Sequence, residues 1–140
     1  MQKMKNGLMM FCLTVLLSCT ALMMNTPTAS AMTLADLQGD YRIVSSESSN
    51  KSTTGSVISI QMENGELIAR VKKPSSGVDW NPGDVFMKDT FVDNGKVHFQ
   101  MLSQYGWYKP SFMKIIGNGS TLTLHWDDIP TNPIHELHRI

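Results

Sequence analysis

Cysteine is almost missing from this chain. Its two copies, Cys12 and Cys19, both lie near the N-terminus. No disulfide can staple the remainder, so a small domain built from it must be held by its core alone. A basic stripe is missing too. Beyond residue 31 the chain has ten basic and twelve acidic residues, a formal charge of −2. That excludes the electrostatic footprint of a nucleic-acid binder. No serine sits in a Gly-x-Ser-x-Gly elbow, and no cysteine nucleophile exists past residue 31. A helical repeat of apolar residues is absent beyond a single turn.

Only one long apolar run is present. Lys3 and Lys5 precede it, Leu8 to Met24 is almost wholly apolar, and Ala29-Ser30-Ala31 follows. A positive start, an apolar run and small residues at −3 and −1 describe a cleaved secretory signal peptide. The expected division is residues 1–31 as leader and residues 32–140 as one domain, 109 residues long. No basic stop-transfer cluster follows the run, so no transmembrane segment is expected after cleavage. "LLSC", Leu16 to Cys19, offers a rival lipoprotein site. Leu17 fits that box poorly and the apolar run continues past Cys19, so a lipid anchor there is the lesser expectation. Export to a periplasm or beyond follows from the leader. The lack of cysteine suits a bacterial envelope.

What remains alternates. Val97, Phe99 and Met101 share one face while His98 and Gln100 share the other; Leu122, Leu124 and Trp126 oppose Thr121, Thr123 and His125. This period predicts antiparallel strands with one solvated side. Eight are expected: Asp40–Ser46, Gly55–Met62, Glu66–Lys73, Val85–Val92, Lys96–Leu102, Ser111–Ile116, Ser120–Trp126 and Ile134–Ile140. Thr33 to Gln38 makes one helical turn before them, with Thr33 and Asp36 as a short capping box. Three connections are tight, at Glu63–Glu66, Asp93–Lys96 and Gly117–Ser120, each with Asn-Gly suited to a two-residue type I′ hairpin. The other four are long, and the two kinds alternate strictly. In a meander that places every tight turn at one end and every long loop at the other. The expected fold is therefore all-β, an eight-stranded antiparallel up-and-down barrel with a pinched floor and an elaborated rim. Ile60, Leu67, Phe99, Met101 and Leu124 are bulky interior candidates, so any cavity is expected to be shallow and close to the rim.

Gly39-Asp40-Tyr41, just after the helical turn, resembles the Gly-x-Trp signature of lipocalin-like (calycin) barrels, with tyrosine in place of tryptophan. "DWNPGDVFMKDTFVDNGKVHF" is similar to a segment of small secreted bacterial domains of that kind. The resemblance implies that an arginine on the last strand packs across the signature aromatic and closes the floor. Arg139 shares parity with Leu137, and Tyr41 with Ile43, so both point inward in this reading. Gly39, Tyr41 and Arg139 are the candidate closure residues.

The long loops hold the remaining chemistry. Trp80, Tyr105, Trp107, Tyr108, Trp126, Asp127 and Asp128 are expected to converge at the open end as a ligand-binding site. Rings beside carboxylates suit a small amphipathic or envelope-derived ligand, and equally a protein surface. They also suit a satellite core that merely covers the opening. Adjacent aspartates are common turn formers, so no catalytic residue is expected and a hydrolase or isomerase using these carboxylates is a distant third reading. Pairing Leu124 with Leu137 sets His125 opposite Glu136, with His138 further along the same face. Such outward groups are ordinary cross-strand partners, and no metal or other cofactor is expected. The reading is a non-enzymatic exported binding module; the alternative is a periplasmic inhibitor or immunity-type protein that binds an enzyme through its aromatic loops.

Overall fold

The structure, a computed structural model, describes residues 32–47 and 52–140. The leader, its cleavage site and Cys19 lie outside the described residues, as do residues 48–51. Eight strands run in chain order: β1 Gly39–Ser46, β2 Val57–Glu63, β3 Glu66–Lys73, β4 Val85–Asp93, β5 Lys96–Leu102, β6 Tyr108–Ile116, β7 Thr121–Trp126 and β8 His135–Arg139. Each pairs antiparallel with the next, and β8 returns to β1, so the sheet closes. Closure leaves no sheet edge open to pairing with another chain. Among the described residues no helix is long and apolar enough to cross a membrane.

The alternation in the sequence becomes the interior. Ile58, Ile60, Ala69, Val97, Met101, Leu122, Leu124 and Leu137 are all fully buried, and Leu67 and Phe99 nearly so. Register places them against one another: Ile60 opposite Ala69, Val97 opposite Met113, Leu122 opposite Leu137. Each large apolar side chain so buried contributes about 1.5–3 kcal/mol before chain entropy is charged against it.

The two ends differ as expected. Asn64-Gly65 and Asn94-Gly95 have both residues at positive φ, the geometry of type I′ turns. The third tight connection departs from expectation. Ile116 pairs with Thr121, so four residues make the turn, and Gly117–Gly119 form a 3-10 turn. The cause is tertiary: the Ser120 carbonyl accepts the Arg139 backbone N–H at 2.9 Å, and the Gly119 carbonyl accepts its Nε–H at 3.4 Å. A tighter hairpin would withdraw these acceptors.

At the opposite end the long connections are tied to one another. Glu47 donates its N–H to Ile134 at 3.0 Å, Ser52 Oγ donates to Gln104 at 2.6 Å, and the Ser75 N–H reaches Ser56 Oγ at 2.9 Å. The indole N–H of Trp80 donates to the Ser103 carbonyl at 2.9 Å, while Ser103 donates its own N–H to Trp107 at 2.8 Å. Trp80 and Trp107 therefore share one anchor and one pole.

The floor is locked by Arg139. Its guanidinium carbon lies 4.9 Å from the Tyr41 ring centroid. The guanidinium also donates to the Gln38 carbonyl at 2.7 Å, the Asp36 carbonyl at 2.9 Å and Tyr41 Oη at 2.6 Å. Tyr41 Oη in turn donates to Leu37 at 2.8 Å. A Cβ on Gly39 would sit 2.7 Å from Arg139 Nη1, so the glycine makes room for the guanidinium. The turn Leu34–Leu37 is 3-10, and Asp36 accepts the Thr33 N–H at 2.8 Å.

Candidate functional site

The rim has an inner layer and an outer patch. The inner layer is a row of rings across the barrel. Trp80, on the β3–β4 connection, meets Phe86 edge-on at 5.4 Å, and Phe86 lies 6.0 Å from His135 on the opposite wall. All three are buried. His135 Nδ1 faces Ser46 Oγ at 3.0 Å and Thr53 Oγ1 at 3.4 Å, and those hydroxyls are 2.7 Å apart. Burial pushes the His135 imidazole down to about 3, so it stays neutral near pH 7.

The outer patch is built on Trp126. This residue ends β7 pointing inward and is 5% exposed. Trp107 packs against it with ring centroids 6.1 Å apart, yet remains 48% exposed. Lys109 Nζ lies 5.3 Å from the Trp126 ring centroid and 2.7 Å from Asp128 Oδ2. Ile129 bridges back to Trp126 and is exposed, as is Tyr105 at the tip of the β5–β6 connection. Ser103 Oγ lies within reach of the Tyr105 and Trp107 N–H groups, at 3.2 and 3.3 Å, and accepts from them. A buried serine thus shapes the loop that presents both rings.

The predicted residues divide accordingly. Trp107, Trp126 and Asp128 come together, and Tyr105 and Asp127 flank them in the chain. Asp127 donates its N–H to Pro110 at 3.1 Å, and its side chain is exposed. Trp80 serves the interior layer rather than the exposed patch. Tyr108 is not a loop residue: β6 starts there, three residues earlier than expected, because Pro110 is accommodated opposite Gln100. Its Oη donates to the Val85 carbonyl at 2.7 Å and Lys88 Nζ sits 4.1 Å from its ring centroid, on the outer wall. Burial raises the Tyr108 phenol, with Asp84 adding to the shift.

Two residues escaped the sequence reading. Lys109 pairs opposite the inward Met101, a placement hidden by starting the strand at Ser111. His135 has the inward parity of Leu137 and Arg139, which was a sufficient signal.

The histidines also correct one register. Leu124 pairs with His135 and Thr123 with Glu136, so His125 does not face Glu136. His125 is instead buried on the outer wall, stacked on Phe112 at 4.9 Å, with Thr123 Oγ1 at 3.0 Å from Nε2. Its Nδ1 has no hydrogen bond of good geometry, although the Pro130 and Asn132 carbonyls lie toward the ring. Burial and then Lys114 lower its affinity for a proton, against those carbonyls. Glu136 pairs with His138 at 3.0 Å on its own strand. Among the described residues no cluster of three potential metal ligands forms.

No protein-family model, curated protein or solved structure matches this chain.

Proposed function

We propose that this chain is an exported binding module, not an enzyme, that recognises a partner protein with its rim. The observation that carries the reading is the half-exposed Trp107 indole. It rests on a buried second indole; Tyr105, two residues before it, and Ile129, bridged to Trp126, are exposed as well. Rings held rigidly by packing below and left open above are what a protein interface uses as anchors. The inner row Trp80–Phe86–His135 is buried in mutual ring contact behind them, which favours recognition on the outer surface. An inhibitor or immunity-type role in a bacterial envelope, on a lipocalin-like barrel, is the biological setting we favour.

A second reading is supported by the indole pair itself. Trp107 and Trp126, beside the Lys109–Asp128 ion pair, would suit a small amphipathic ligand laid flat on the rings. Native mass spectrometry of the chain recovered from its natural cells separates the two. A stoichiometric protein complex that Trp107→Ala dissolves supports the first. A small-molecule adduct lost in the same variant supports the second. Complexes or adducts indifferent to Trp107→Ala would remove the rim from both.

A further inference from the structure

We infer that the rim patch docks a basic polypeptide, whose lysine or arginine side chain stacks on the exposed face of Trp107 with Asp127 and Asp128 as counter-charges. The inference rests on the rim reading above and names the partner's chemistry. The first support is the distribution of charge. The four rim connections carry Glu47, Asp79, Asp84, Asp127 and Asp128 against one lysine, Lys51. Lys73 and Lys109, at the rim ends of β3 and β6, reduce the excess to a formal −2. Arg70, which donates to the Gly83 carbonyl, and Lys88, over the Tyr108 ring, stand beside other connections of this end, so the acidic character is local to Asp127 and Asp128 beside Trp126.

The second support is a contact the chain makes with itself. Lys109 places its ammonium over the Trp126 ring and against Asp128, the arrangement a cation–π site with a carboxylate requires. That seat is already taken. Trp107, packed at a tilt against the same indole, repeats the ring with no cation over it among the described residues. Asp127, next to Trp126 in the chain, has a carboxylate with no ion pair among the described residues. Tyr105, two residues before Trp107, and Ile129, bridged to Trp126, add exposed apolar surface at 74% and 44%. An apolar and aromatic centre fringed by carboxylates selects a partner with basic side chains around an apolar contact.

The test titrates hexalysine into the full folded chain at about 150 mM salt, where charges beyond about 8 Å are screened. Tryptophan fluorescence and calorimetry give the affinity. The expected result is saturable binding that falls at least about tenfold, some 1.4 kcal/mol, in Trp107→Ala and in the pair Asp127→Asn with Asp128→Asn. Asp93→Asn, at the floor, should leave it unchanged, and hexaglutamate should not bind. Absence of saturation, or an equal loss from Asp93→Asn, overturns the inference. If hexalysine fails while a native complex still depends on Trp107, the basic partner is wrong and the rim reading survives. If neither depends on Trp107, both fall.

Discussion

Acidification should weaken this domain through one side chain. His135 is enclosed by Phe86, Ser46 and Thr53, and burial disfavours its protonated form. Its folded affinity corresponds to a pKa of about 3, whereas an unfolded histidine titrates near 6.5. A depressed folded pKa means the unfolded chain binds the proton first. The stabilisation is therefore complete above about pH 6.5 and is lost as pH falls toward 3. Each pH unit in that window is worth about 1.4 kcal/mol, so moving from pH 7.5 to pH 5 costs about 2 kcal/mol. Against a typical 5–15 kcal/mol this is a large fraction. Urea titrations across the window measure it directly. His135→Gln removes the titrating group, so its slope should be flatter by about 2 kcal/mol over the same interval, even if its stability at pH 7.5 is lower. His125, also lowered by burial, adds in the same direction in both proteins and cancels in the difference. Asp40 and Glu63, lowered by Lys72 and Arg70, lose their contribution as pH falls through the ordinary carboxylate range and below it, beneath the pH 7.5 to 5 interval, and they too cancel in the difference. Identical slopes in the two proteins would refute the buried, uncompensated imidazole.

Arg139→Ala should cost about 2–3 kcal/mol, from a cation–π contact and several charge-assisted hydrogen bonds, discounted because part of the side chain meets water. A calorimetric melting temperature lowered by roughly 8–15 °C checks it. Gly39→Ala should lose about 1–2 kcal/mol, because its Cβ meets the same guanidinium; in an Arg139→Ala background most of that loss should vanish, which a double-mutant cycle reads. Trp80→Ala should destabilise by about 3–5 kcal/mol in urea, while Trp107→Ala should stay within about 1 kcal/mol.

Strand number, order and polarity were legible because they rest on a period of two and on Asn-Gly turns, both local properties. Residues such as Phe99 and Leu124 declare their face by their neighbours alone. What escaped was set by tertiary contact. The four-residue turn before β7 sets its Gly119 and Ser120 carbonyls on Arg139, a residue twenty positions away from Gly119. The β7–β8 register slipped by two because parity is preserved under such a slip, so alternation cannot detect it. Phe112 and His125 alternate outward yet are buried, since Lys96 reaches over the Phe112 ring and the β7–β8 connection folds back over that wall. At the rim, composition brought the right ring types together. It could not say that Trp80 turns inward and Trp107 outward, because both sit in irregular loops whose direction is fixed by hydrogen bonds to Ser103.

The distribution of these contacts separates stability from recognition. Arg139 gathers the floor through three carbonyls from two segments, the turn before β1 and the turn before β7, so the β1–β8 seam is braced there. The rim is tied mainly by serine hydroxyls and backbone groups, and its exposed side chains have few partners below them. Changes at Tyr105, Trp107, Asp127 or Ile129 therefore alter what the molecule can touch without opening the barrel. Changes at Tyr41 or Arg139 weaken the barrel without altering the rim surface it presents. A chain arranged this way can vary its target at one pole while the other keeps the fold, which is what a scaffold with grafted recognition loops requires.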